Sequence, residues 1–251
     1  MKRALYVDGS NGISGDMFVG ALLDLGENFA YLESELAKLN MSGFHIQAER
    51  LVYDNEMAID FDVVLTDKHS MGNLNFYQIE EILLRSDLSD YVKETSRKVF
   101  KIAAEAGSAA HRTSLEKFLF HEKGALDSLA DIVGTSICLD YLGINELYFG
   151  TIVDGSGSIT LRNQKRLPVP VPAVRQIMKH YPLEFASSVI QGELVTPTGA
   201  ALAAGLQSAK AIPSDYLIER TGRGKGKRAY NPRALLEIHQ ISYEEKSYER
   251  H

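Results

Sequence analysis

The stretch RALYVDGSNGISGDMFVGALLDLG, Arg3 to Gly26, organises the reading of the whole chain. Residues 3–8 read as a short first strand, and a glycine-rich turn, 9–16, follows. Residues 17–25 then read as a helix stopped by Gly26. A strand that enters a helix through glycines lets the backbone approach a ligand closely. The helix start also offers free N–H groups to an anion. Asp8, Ser10, Ser14, Gly15 and Asp16 are therefore candidate site residues, with Ser14 able to cap the helix. A plain strand–helix turn, with Asp16 matched to the helix dipole, is the competing reading. The glycine spacing and the missing Lys-Ser/Thr ending exclude a P-loop and a dinucleotide fingerprint.

Outward from this unit, a helix is expected over 28–39. Strands are expected over 44–51 and 57–66, around the turn Asp54-Asn55. Ile59-Asp60-Phe61-Asp62-Val63 alternates as a half-exposed strand should. Residues 68–73 read as a loop, and 76–84, 89–111 and 124–142 as helices. The stripe Val92, Val99, Ile102, Ala103 and Ala106 marks the buried face of the second of these. A strand over 146–153 leads into a Gly/Ser turn at 154–158. Pro168, Pro170 and Pro172 impose an extended run. Helices over 173–180 and 198–206, strands over 216–220 and 234–241, a loop over 222–230 and a charged tail from 242 complete the chain. Strands and helices are interspersed without a strict βαβ rhythm. The expected fold is α+β or mixed α/β, a single unit over 1–251 with lobes divided near 150.

The chain has 251 residues, 45% hydrophobic and 24% charged, which is ordinary globular usage. Net charge is −6, against a dedicated nucleic-acid binder. No apolar run reaches a membrane span of about 18 residues, and residues 1–7 do not form a signal peptide. A cytoplasmic protein with no membrane partner is expected. Cys138 is the single cysteine, so no intramolecular disulfide and no all-thiolate zinc site can form. Its neighbours Ile137 and Leu139 place it in the core.

Chemistry concentrates at three further places. In Phe120-His121-Glu122-Lys-Gly124-Ala-Leu-Asp127-Ser128-Leu-Ala-Asp131, two aspartates four apart share a helix face. With Ser128 and Thr135 they form a polar sector. His121 and Glu122 precede the helix and can fold over its start. An imidazole with carboxylates suits a divalent transition metal. The carboxylates also suit acid–base work, or simply an amphipathic helix with acids at its positive end. In Glu193-Leu-Val-Thr196-Pro-Thr198-Gly199, either threonine can cap the next helix and present its amides to a phosphate or carboxylate. In Gly222-Arg223-Gly224-Lys225-Gly226-Lys227-Arg228, four cations among three glycines form a flexible basic loop able to clamp a phosphate, or a solvated surface loop. His45, His69, His111, His180, His239 and His251 read as surface or satisfied core histidines. No nucleophile elbow is present, so triad catalysis has no support.

At these places the sequence resembles the LarC family, nickel-insertion proteins that make the nickel-pincer nucleotide cofactor of lactate racemase. The matching stretches are Tyr6 to Gly26, Phe120 to Gly134, Leu167 to Val174 (LPVPVPAV), Glu193 to Ala201 (ELVTPTGAA) and Gly222 to Gly226 (GRGKG), in family order. The resemblance implies insertion of nickel into a pyridinium bis-thiocarboxylate mononucleotide with formation of a nickel–carbon bond. It implies CTP, with manganese or magnesium, used through a C-terminal domain or partner that this chain lacks, and lactate racemase pathway proteins as clients. Carried onto this sequence, His121, Glu122, Asp127 and Asp131 would hold metal, and Asp127 and Asp16 would be catalytic. Ser14, Gly15, Thr196, Thr198, Gly199, Arg223 and Lys225 would bind the substrate's phosphate and carboxylates. Leu119, Gln164-Lys165-Arg166 and a loop containing only His69 stand where the family has further histidines. Those losses support two other readings. One is a non-catalytic paralogue acting as a metal-binding or assembly module. The other is a nucleotide-binding protein without nickel.

Overall fold

The computed structural model describes residues 1–26, 28–66, 73–120, 122–161, 164–209, 211–228, 230–231 and 233–244, with backbone alone at 122–124. β1 (Lys2–Asp8) leads into α1 (Gly15–Gly26) and α2 (Phe29–Ala37). The hairpin β2 (Phe44–Tyr53) and β3 (Glu56–Leu65) follows, then α3 (Phe76–Arg85), α4 (Asp90–His111) and α5 (Glu122–Leu142). Next come β4 (Leu147–Phe149), β5 (Ile152–Ser156), β6 (Ser158–Thr160), β7 (Arg166–Pro168) and α6 (Pro172–His180). β8 (Phe185–Gln191), α7 (Pro197–Leu206), β9 (Leu217–Lys225) and β10 (Leu235–Tyr243) complete the chain. The mixed α/β expectation is borne out. Among the described residues, no helix is long and apolar enough to cross a membrane.

Local signals account for most of these elements. Asp54 and Asn55 both take positive φ, 51° and 63°, as a two-residue hairpin turn requires. Asn75 and Gln78 close a capping box on α3, and the Ser89 hydroxyl caps α4 at Val92 N. The alanine-rich stripe of α4 is buried, together with Phe100. A buried Ser96–Ser136 hydroxyl bond of 3.0 Å, with Ser136 donating to Ile132 O, links α4 to α5 without an orphaned group at either serine.

The main sheet has the order β2-β3-β9-β10-β1-β4. β1 lies antiparallel to β10 and parallel to β4, so strands from both ends of the chain interleave in one sheet. β3 runs parallel to β9 where Ile59 meets Gly224. The carboxyl ends of β1 and β9 therefore share one edge, the edge from which the turn 9–14 departs.

Helix α1 lies across β9 at unusually short range. A methyl at Gly224 would stand 2.7 Å from Ala21 N, and one at Gly20 would stand 2.6 Å from Ile59 O. Only hydrogen in place of Cβ allows backbone to meet backbone here. This corrects the expected basic loop. Gly222 and Gly224 face the helix, and Arg223 and Lys225 face away from it, a period-two pattern that belongs to a strand.

Two other stretches differ from expectation. The strand expected over 146–153 divides into β4 and β5, and the expected Gly/Ser turn at 154–158 is the end of β5 and the start of β6. Asp154 is 1% exposed. Its Oδ1 accepts N–H bonds from Gly155, Leu194 and Val195 at 2.7, 2.9 and 3.0 Å. Strand β8 has no counterpart in the sequence reading, because FASSVIQ offers a single mixed face. The loop over 68–73 falls mostly outside the described residues, as do His69 and His251.

Candidate active site

Three helix starts carry the candidate residues, and a small knot of backbone bonds positions two of them. Ile13 N donates to Leu194 O at 3.0 Å, and Thr196 N donates to Ile13 O at 3.0 Å. Asp154 grips the 194–195 backbone, so the turn after β1 and the lead into α7 are held as one piece. A methyl at Gly199 would stand 2.9 Å from Ser14 Cα. Thr198 Oγ1 lies 3.3 Å from Ser128 Oγ, which ties the start of α7 to the first turns of α5.

At the start of α1, the Ser14 carbonyl accepts Phe18 N at 3.1 Å, and the Ser14 hydroxyl donates to Asp16 Oδ1. The expected side-chain cap by Ser14 is thus replaced by a bond that orients an aspartate. Asp16 Oδ1 also accepts Met17 N at 3.0 Å. Gly15 leaves room for Asp131: a methyl at 15 would stand 2.6 Å from Asp131 Cβ. The α1 backbone therefore packs against an aspartate on α5, and glycine is needed for that approach.

The electrostatics follow from this packing. Burial raises the Asp131 carboxyl well above the usual range, and the nearby charges of Asp16 and Asp127 raise it further. Lys227 acts in the opposite direction. Burial also raises Asp16, against the lowering effects of the Ser14 hydroxyl, Lys227 and Met17 N. Three aspartates from two helices thus share one desolvated, negatively charged place. Such a place favours either a proton or a cation. Lys227, paired with Asp62, borders an open groove of about 580 Å³ whose walls include Phe29, Gln47 and Asp60. A groove of that size accommodates a small ligand.

The structure brings together Asp16, Gly15, Ser14, Asp127 and Asp131, with Thr196, Thr198 and Gly199 on the adjoining helix start. Thr196 uses its hydroxyl to cap α7 at Gly199 N, 3.1 Å. Glu122 begins α5, where the backbone alone is described, and His121 lies outside the described residues. Arg223 and Lys225 lie on β9, each with a carboxylate partner. Arg223 Nε holds Glu237 Oε1 at 2.9 Å, and Lys225 Nζ holds Asp60 Oδ2 at 2.7 Å. As strand residues with carboxylate partners they are not the flexible clamp the sequence suggested. Cys138 is buried as expected, and burial pushes its thiol up to about 12. Sequence reasoning missed Lys227 as the cation acting on Asp16 and Asp131. It also missed the Asp154 anchor and the convergence of Asp8, Glu237 and His239.

A family model described as "Nickel insertion protein" matches residues 5–250. The chain belongs to this family. The resemblance drawn from the motifs is thereby borne out. A relative from Acetivibrio thermocellus named pyridinium-3,5-bisthiocarboxylic acid mononucleotide nickel insertion protein is 40% identical over 233 residues, covering 90% of this chain and 57% of that protein. Relatives of the same name from Alkaliphilus metalliredigens and Staphylococcus epidermidis are each 38% identical, over 242 and 246 residues. These alignments cover 90% and 97% of this chain and 57% and 60% of the relatives. This member of the nickel insertion family therefore spans less than two thirds of the length of those relatives. No solved structure matches it.

Proposed function

We propose that this chain is the N-terminal part of an enzyme that inserts nickel into pyridinium-3,5-bisthiocarboxylic acid mononucleotide, and that the aspartate cluster where the start of α1 meets the first half of α5 is where insertion occurs. The observation that carries the reading is the packing of Asp131 against Gly15 beside Asp16 and Asp127, within a chain of this family. Nickel arrives as a substrate. In forming the product, the ring C–H bond breaks, its electron pair becomes the nickel–carbon bond, and the proton must pass to a base.

A carboxylate whose pKa is raised toward neutrality is suited to accept that proton. Burial and the neighbouring Asp16 and Asp127 charges raise the Asp131 carboxyl well above the usual range, so Asp131 takes the proton, with Asp127 and Asp16 holding the incoming cation. His121 and Glu122, neighbours of these aspartates in sequence, complete the metal set. The helix starts of α1 and α7 receive the substrate's carboxylate and phosphate oxygens through their N–H groups, with Thr198 alongside. CTP, with magnesium or manganese, is used by the C-terminal part of the enzyme, in the cytoplasm. The product serves lactate racemase.

The test is reconstitution: this chain, the separately expressed C-terminal part of a relative, substrate, nickel and CTP, with product measured by mass spectrometry. Wild type should turn over, and Asp131→Asn should lose at least about 100-fold, the scale of a positioned general base. Wild-type activity in Asp131→Asn would remove the base from this position. Absence of turnover by the wild type, with nickel still bound, would favour a metal-binding or assembly module. The replacement of a family histidine by Leu119 supports that second reading.

A further inference from the structure

We propose that Asp8, Glu237 and His239 form a second site for a divalent transition-metal ion, on the outer face of the main sheet and apart from the aspartate cluster. Among the described residues, these three offer ligand atoms that all lie within 4.8 Å of one another. The convergence comes from register. Asp8 ends β1 directly opposite Glu237 on β10, and His239 is two residues further along the same strand, opposite Tyr6. A strand repeats its faces every two residues, so all three side chains leave the sheet on one side. This face is the one that also carries Arg223 and Lys225, away from α1.

Each ligand is held from behind by its other polar atom. Thr221 Oγ1 lies 2.8 Å from His239 Nδ1, and Tyr6 stacks on the imidazole at 5.9 Å with a 14° tilt, so Nε2 faces the carboxylates. Arg223 Nε donates to Glu237 Oε1 at 2.9 Å, which leaves Oε2 toward His239. Ser10 N donates to Asp8 Oδ1 at 2.9 Å. Outer contacts of this kind orient metal ligands before the ion arrives. His239 Nε2 and Glu237 Oε2 are 3.8 Å apart, too far for a hydrogen bond. Two atoms about 2.1 Å from a common ion stand roughly 3.0–4.2 Å apart for ligand angles from 90° to 180°. The gap therefore fits an ion better than a direct bond. One imidazole nitrogen and two carboxylate oxygens suit nickel, cobalt, zinc or manganese, and the incomplete set leaves positions for water or a ligand. All three residues are partly exposed, so an ion has access.

The test uses the tag-free chain with Co²⁺ and Ni²⁺ alone, by equilibrium dialysis and by the visible spectrum of bound cobalt. Wild type should bind cobalt with a spectrum that includes a nitrogen ligand. His239→Ala and, as a shape-conserving check on folding, Glu237→Gln should each weaken this binding at least about tenfold. Thr221→Val, which removes only the bond to Nδ1, should weaken it less and alter the spectrum. Asp127→Asn, which removes a cation-holding carboxylate of the aspartate cluster, should leave the His239-dependent spectrum unchanged, which separates this site from that cluster. The proposal is overturned by any of three results: no binding to the wild type, unchanged binding in folded Glu237→Gln, or loss of the cobalt spectrum in Asp127→Asn.

Discussion

Gly15→Ala sets helix propensity against tertiary packing, and the two predict opposite signs. Alanine favours a helix over glycine by up to about 1 kcal/mol, so propensity alone predicts a more stable protein. In the structure, however, a methyl at position 15 would stand 2.6 Å from Asp131 Cβ, against an ordinary contact beginning at 3.4 Å. Cβ is the root of that side chain, and no rotamer moves it away. Helices α1 and α5 must then part by about 0.8 Å, an overpacking that costs about 1–3 kcal/mol. At roughly 2–4 °C per kcal/mol for a chain of this size, the melting temperature should fall by about 2–12 °C, less whatever propensity returns. Displacement of Asp131 and Asp16 by nearly 1 Å should also lower insertion activity by about 100-fold. Thermal unfolding followed by circular dichroism would measure the first effect on wild type, Gly15→Ala, Asp131→Gly and the double variant. The double variant should recover much of the loss, with a coupling energy of about 1 kcal/mol or more. A Gly15→Ala protein that melts at or above wild type would refute the close packing of these helices.

Three further outcomes are expected. The Asp131 carboxyl has a folded pKa above its unfolded value, so its contribution favours the folded state at low pH and is lost as pH rises from the unfolded pKa through the folded one. Asp131→Asn should therefore raise the melting temperature at neutral pH and leave it nearly unchanged near pH 3, as a pH series of melts would show. Asp154→Ala strands the N–H groups of Gly155, Leu194 and Val195 in the interior. It should cost about 3 kcal/mol or more in urea unfolding, and the amides of Leu194 and Val195 should exchange faster. Lys225→Ala removes a partly exposed ion pair with Asp60 on the outer sheet face. It should cost less than about 1 kcal/mol and leave the substrate KM unchanged; a large rise in KM would return Lys225 to the substrate site.

Much of the fold is written in local pattern. The Asp54-Asn55 turn and the buried stripe of α4 each depend on residues within a few positions of one another, and each was legible without tertiary information. The pairing of Asp127 with Asp131 was legible for the same reason, since four residues along a helix always share a face. Sequence also separated the family motifs from a P-loop. Tertiary structure decided what depends on partners far along the chain. The GRGKG run read as a loop because glycine weakens any strand assignment; only α1, lying on β9, explains why glycine is required there. Asp154 sat among glycines and serines that suggested a turn, and its burial depends on Leu194 and Val195, forty residues away. Asp16 and Asp131 meet through the approach of two helices, which spacing along either one does not specify. Asp8, Glu237 and His239 meet because β1 and β10, from opposite ends of the chain, pair in one register. Local periodicity assigns a side chain to a face, and strand order and helix packing determine which faces meet.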